Sequence, residues 1–260
     1  MKRILDFSLL ILLLFPGCNL LSTPEPATAT PVPSNTPEPT FTPLPTETPS
    51  PVPTSTPDKT ATAAVQATET SDAILKELDQ LRGDTDIPYE QGHLAWKQEK
   101  PLLVSLSGPG ADYVEIDDSL SAGNFILKSD ITWEASGIIV CGFIFRSEPN
   151  IGEGKQYQFA YLRLSGLPAW EIAVYEFGRY KNSPSGTKFS DAIDQENRAV
   201  NQVVLVAQDE QFTVYINKAR QGRYFDYSKQ RMDGYFAFHG YQDSGTGSCD
   251  FNDSWVWALE

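Results

Sequence analysis

An all-β fold, a two-sheet antiparallel sandwich, is what the sequence predicts for residues 89–260. Three observations carry it. Apolar and polar residues alternate with a period of two in one short run after another. The runs are rich in Val, Ile, Phe, Tyr and Trp, the residues that suit a pleated, half-buried surface. Glycines and polar turn residues separate them at near-regular intervals, and no helical period competes. In chain order the runs are Leu102–Ser107, Tyr113–Ile116, Phe125–Trp133, Ile138–Arg146, Tyr157–Leu164, Trp170–Phe177, Gln202–Ala207, Phe212–Asn217, Tyr235–Tyr241 and Phe251–Leu259. Gln208-Asp209-Glu210 and Asn217-Lys218-Ala219 read as the turns that flank one of them.

Three unlike segments precede this domain. Residues 1–18 carry Lys2 and Arg3, an apolar run from Leu9 to Phe15 and then Pro16-Gly17-Cys18. The run is too short to span a bilayer, for which about 20 apolar residues are needed, and reads as a secretory signal. Gly17-Cys18 resembles the end of the lipobox of bacterial lipoproteins, which implies Cys18 as a lipidation site; Phe15 and Pro16 depart from that pattern. A plain cleaved signal or an uncleaved anchor is the alternative. The resemblance implies export and attachment through acyl chains to the outer face of the membrane or cell surface.

Residues 19–60 hold 12 of the chain's 19 prolines, between Pro24 and Pro57, among Thr, Ser and Glu. Such a segment lacks the apolar area to offset ordering its backbone, so it is expected to be a disordered, extended stalk. Residues 61–83 are Ala-rich, with Ile74, Leu75, Leu78 and Leu81 on one helical stripe and Gly83 placed to end it. This helical neck can pack on the domain, pair with another copy or fray.

Charge narrows the partners. The chain of 260 residues has a formal net charge of −14, and from Tyr89 onward 15 Lys+Arg face 23 Asp+Glu. Phosphate-backbone binding needs clustered positive charge, so nucleic acid is excluded. Two histidines cannot build a His-rich metal site. No cofactor is called for; Asp243, Asp250, Asn252 and Asp253 could supply oxygen ligands to calcium, although such acidic residues near a strand end are more often solvated turn ends.

Four segments succeed one another in a familiar order: CGFIFR (Cys141–Arg146), QFTVYINKARQGRYFD (Gln211–Asp226), GYFAFHGYQDSG (Gly234–Gly245) and CDFNDSWVWAL (Cys249–Leu259). The succession resembles the concanavalin A-like lectin/glucanase jelly rolls, particularly the laminin-G-like and family-16-like domains of exported bacterial proteins, over Ala95 to Leu259. That group holds glucanases and sugar-binding modules, so the resemblance implies fold more than activity. Cys141 and Cys249 are the pair left once Cys18 is set aside, and an oxidising compartment allows them to join; two buried thiols are the alternative.

Catalytic signatures are incomplete. Family-16 glucanases carry Glu-x-Asp-x-x-Glu, whose carboxylates serve as nucleophile and acid/base. The nearest string, Glu115-Ile116-Asp117-Asp118-Ser119-Leu120, has leucine at the second glutamate and reads as an acidic loop edge. Binding chemistry fares better. Aromatic rings stack on the apolar faces of sugars, while Arg, His and Asp bond their hydroxyls. Alternation sends Tyr235, His239 and Tyr241 to one face of their strand. Tyr157, Tyr161 and Arg163 share a face of a second strand, Arg146 ends a third, and Asp243 follows nearby. These eight are the candidate ligand-binding residues. The expected function is a surface-anchored, non-catalytic module for carbohydrate or another extracellular polymer. A glycoside hydrolase or keto-disaccharide hydrolase of the same fold, with Glu134, Glu171 and Glu176 the first acids to test, is the alternative, and a self-associating structural module the third.

Overall fold

The computed structural model describes residues 59–80, 89–164 and 166–260; the predicted signal, Cys18, residues 19–58 of the predicted stalk, Leu81 and Gly83 lie outside the described residues, and Lys59 and Thr60, assigned to the stalk from sequence, begin the helix. Among the described residues, helix α1 (Lys59–Asp79) is followed by a 3-10 turn (Tyr89–Gln91) and fourteen strands. They are β1 (His93–Lys97), β2 (Leu102–Leu106), β3 (Gly110–Glu115), β4 (Phe125–Ala135), β5 (Ile139–Ser147), β6 (Gln156–Leu164) and β7 (Leu167–Glu176). Then come β8 (Arg179–Asn182), β9 (Lys188–Phe189), β10 (Val200–Gln208), β11 (Gln211–Ile216), β12 (Ala219–Phe225), β13 (Tyr235–Gln242) and β14 (Gly247–Ala258). Each of the ten predicted runs overlaps a strand. The additions β1, β8, β9 and β12 lie at sheet edges, and the β8 sequence Arg-Tyr-Lys-Asn, exposed throughout, has no apolar alternation to betray it.

Every strand pairing is antiparallel, in two seven-stranded sheets. The first runs β1-β14-β4-β10-β11-β12, with β2 also on β14; the second runs β3-β13-β5-β6-β7-β8, with β9 also on β7. Tight hairpins set the register. At the β11–β12 turn Asn217 and Lys218 both have positive φ, 49° and 68°, the twist that matches two right-handed strands.

The sheets face each other across a core of rings. Phe125 meets Phe236 edge-on at 4.8 Å, Trp133 stacks on Tyr161 at 4.5 Å and Phe238 tilts onto Phe251 at 4.6 Å, each pair joining the two sheets. A Cys141–Cys249 disulfide ties β5 to β14 with a Cα–Cα distance of 5.7 Å, about half the usual ~10 Å between packed sheets. The inward position beside it is Gly240; a Cβ there would lie 3.1 Å from Cys249 Sγ and from Val104 Cγ1, so glycine lets the sheets close up at this edge.

The outer face of the first sheet carries an apolar patch, and that patch is covered. Ile126, Val204, Val206, Tyr215, Trp255 and Trp257 alternate outward and form a second buried cluster with Ile74 and Leu78 of α1. The neck helix thus spends its stripe on its own domain. Its end is fastened as well: Tyr89 Oη donates to Asp79, and Trp257 Nε1 donates to the Tyr89 carbonyl at 2.9 Å. At about 1.5–3 kcal/mol for each large apolar side chain buried, Ile74 and Leu78 make α1 part of the fold. The outer face of the second sheet carries no such cover among the described residues.

Candidate functional site

That second outer face forms an open groove of about 510 Å³. Its construction follows from register. On β7 Trp170, Ile172 and Val174 point into the core, which sends Glu171, Ala173 and Tyr175 outward. On β6 the bulky Tyr157, Phe159 and Tyr161 face inward and leave Gln158, Ala160 and Leu162 for the outside. On β13 Phe236 and Phe238 face inward, and His239 and Tyr241 outward.

The ladders place these residues in rows across the sheet. One row reads Tyr113, His239, Gly142, Ala160, Glu171 from β3 to β7. Its ends carry large side chains and its middle carries almost none, so the sheet has walls and a low floor. Three strand spacings, roughly 14 Å, separate the His239 and Glu171 backbones. The next row holds Tyr241, Val140 and Leu162. Tyr175 closes the β7 wall; burial raises its phenol pKa, and the Glu171 carboxylate and the hydroxyls of Tyr180 and Tyr241 add to the effect. Gly142 matters for a close approach: a Cβ there would lie 1.9 Å from the Phe159 carbonyl oxygen. The His239 imidazole crosses this position, and its Nε2 lies 3.3 Å from the same oxygen.

This contact fixes a tautomer. A carbonyl only accepts, so Nε2 carries the proton and Nδ1 is left as an acceptor with no partner among the described residues. Burial pushes the His239 pKa down to about 4, against the small opposing effect of the Phe159 bond. The folded state therefore resists protonation that the unfolded chain accepts near 6.5. Between those values the unfolded state binds more protons, so stability rises with pH. Its loss on acidification from about 6.5 to about 4 is expected to reach the order of 3 kcal/mol. Urea unfolding at intervals across that window should show the slope in the native protein and a flatter profile in His239→Gln.

The eight sequence candidates divide. His239 and Tyr241 line the groove. Tyr235 is on the same face but packs beyond it, against Ile144, Ile151 and Ala237. Arg163 donates to the Gln195 carbonyl at 3.1 Å, and exposed Asp243 accepts from Ser244; neither lines the groove. Arg146, Tyr157 and Tyr161 are corrected outright, because they lie between the sheets. Tyr157 donates to Asp226 at 2.6 Å and contacts Phe212, and Tyr161 lies on Trp133. Arg146 is turned inward by a β-bulge. Between Tyr235↔Ser147 and Ala237↔Ile144 one residue of β13 opposes Phe145 and Arg146, and Arg146 takes φ +47°.

Of the three candidate acids, Glu171 alone is in the groove. Glu134 is held by Arg198 and Glu176 by Lys181, contacts that lower both pKa values. Asp253 pairs with Lys128, and no group of three or more His, Cys, Asp or Glu side chains that could hold a metal occurs among the described residues. Asp117 accepts from the amide and hydroxyl of Ser119, the acidic loop edge expected there. Sequence reading missed Tyr113, Tyr175, Gln158, Asp112 and Glu153, which also line the groove. Strand alternation was the available signal for the first three.

No family model matches the chain, and no curated protein matches it in sequence. Solved structures similar to it include carbohydrate binding module CBM66 from Bacillus subtilis, 13% identical with TM-score 0.43, covering 59% of this chain and 94% of that one. A Bacillus licheniformis beta-glucanase is 10% identical with TM-score 0.43, covering 62% and 79%. A glycoside hydrolase family 16 endo-glucanase from Bacteroides ovatus is 10% identical with TM-score 0.44, covering 64% and 84%. These are likenesses of fold alone.

Proposed function

We propose that the outer face of the second sheet is a glycan-binding groove and that the protein is a non-catalytic binding module. The single observation that carries the reading is the composition of the groove. Tyr113 and Tyr241 rise on one side, Tyr175 on the other, and His239, Gln158 and Glu171 place polar atoms between them over an apolar floor. Rings for the faces of sugars and a few placed polar groups for hydroxyls are what a pyranose chain requires, and the volume falls within the ~300–1,000 Å³ of ligand pockets. On this reading the exported chain is anchored through Cys18 and presents the groove from its stalk, as the sequence leads one to expect.

Affinity electrophoresis of the full chain, purified in detergent, against a panel of soluble polysaccharides tests the proposal. At least one should retard it. Tyr241→Ala and Tyr175→Ala should each weaken binding about 3- to 10-fold, the worth of one stacked ring. Retardation by none of the panel, or variants that bind as the native chain does, would sink the reading. Glu171 in the groove favours a hydrolase as the second reading, and release of reducing ends from a retarded polysaccharide, lost in Glu171→Gln, would establish it.

A further inference from the structure

The groove is lined by Asp112, Glu153 and Glu171 and by no lysine or arginine. Among the described residues none of the three carboxylates forms a salt bridge. Asp112 accepts from the Tyr113 amide and Glu171 from the Thr187 hydroxyl at 3.1 Å, both uncharged donors. Of the cations near the groove residues in the chain, Arg163 donates to the Gln195 carbonyl, Lys181 bonds Glu176 at 2.9 Å and Lys155 acts on the same carboxylate, while Arg179, which follows the groove-lining Gly178, does not itself line the groove. His239 adds no charge. It is 5% exposed, its Nε2 proton is committed to the Phe159 carbonyl, and its unpartnered Nδ1 is a lone-pair acceptor in the groove. Carboxylates and a neutral imidazole nitrogen accept and do not donate, so apart from the tyrosine hydroxyls and Gln158 the polar set is one of acceptors.

Such a site matches a ligand rich in donors and opposed in charge. Hydroxyls satisfy acceptors, and an ammonium group brings three donors together with the missing positive charge. A uronate or a sulfated sugar would set its own negative charge against three carboxylates with no cation between them.

Resting on the glycan reading above, we infer that the groove selects a polysaccharide bearing free amino groups, such as an unacetylated hexosamine chain, over neutral and acidic glycans. Calorimetric titration of the full chain in detergent tests it with three probes of equal length: a glucosamine oligomer, its N-acetylated counterpart and an oligouronate. At roughly pH 6 the amine is charged and His239 is neutral. The free-amine oligomer should bind about tenfold tighter than the acetylated one at low salt, the gap narrowing as salt screens the charges, and the oligouronate should not bind. Glu171→Gln and Glu153→Gln, which keep shape and remove charge from a half-buried and an exposed position, should each shrink the gap while the melting temperature holds. Equal or tighter binding of the acetylated oligomer, or a gap that survives both substitutions together, overturns this selectivity and leaves the glycan groove standing. Failure of all three probes also overturns the selectivity, and the polysaccharide panel then decides the glycan reading by itself.

Discussion

Arg146→Ala is expected to lower the stability of the domain by about 3–5 kcal/mol, a drop of roughly 10 °C in melting temperature for a unit of this size. The side chain is fully buried, and its guanidinium lies 5.3 Å over the Phe212 ring. Nε donates to the Gly123 carbonyl at 2.9 Å, and Nη1 donates to Asp209 at 2.6 Å and to Arg231 at 3.4 Å. One residue thus gathers the segment before β4, the β10–β11 hairpin and the loop before β13. Truncation leaves those carbonyls short of a donor and opens a cavity beside Phe212, and both terms act in the same direction. Arg146→Lys should recover only part of the loss, since a single ammonium cannot span the three acceptors as the planar fork does. Below its own melting temperature the alanine variant should bind glycan as the native chain does, because the side chain is on the core side of β5. Unfolding within 1 kcal/mol of the native protein, or lost binding in a folded variant, would refute this assignment.

Arg146 also shows where sequence reading stops. Strict alternation from Cys141 sends this residue outward, toward a binding face; one extra residue in the ladder reverses it, and no local sequence marks the bulge. Alternation likewise divides β6 into two faces without saying which is inside. The face with Tyr157, Phe159 and Tyr161 buries far more apolar area than Gln158, Ala160 and Leu162, and it takes the core. Choosing rings on that strand therefore selected the core side, whereas on β13 both faces carry rings and His239 and Tyr241 turn outward into the groove. The helix was legible in its stripe, and its destination was written elsewhere. Val203-Val204-Leu205-Val206 is an unbroken apolar run in the middle of a sheet, and Trp255 and Trp257 share one parity of β14; both announce a strand buried on two sides. A cover had to exist, and the neck lies only a short chain away.

Removal of the disulfide is the second large effect. Cys141 and Cys249 close 107 intervening residues, for which the chain-entropy model gives up to ~4.7 kcal/mol and experience with native bridges about 2–5 kcal/mol. Cys141→Ala with Cys249→Ala is the suitable variant, since serine would add two unsatisfied hydroxyls at positions with no exposure. It should unfold at lower urea and fold to the same two sheets, because the rings of Phe143, Phe238 and Phe251 still join β5, β13 and β14 across this end. Burial gives a kinetic counterpart. Thiol exchange needs a line of approach to a sulfur, and both sulfurs are covered by the packed sheets. The native protein should therefore resist a reductant that cleaves the bond at once in urea, and its reduction rate should follow the opening of the fold rather than the thiol concentration. Immediate reduction under native conditions, or a double-alanine variant as stable as the native chain, would show that the bridge neither lies within the core nor holds the sheets together. Val140, next to Cys141, lines the groove and Gly142 lies under the His239 ring, so the same bond that draws β5 toward β14 also fixes the strand on which the groove floor rests.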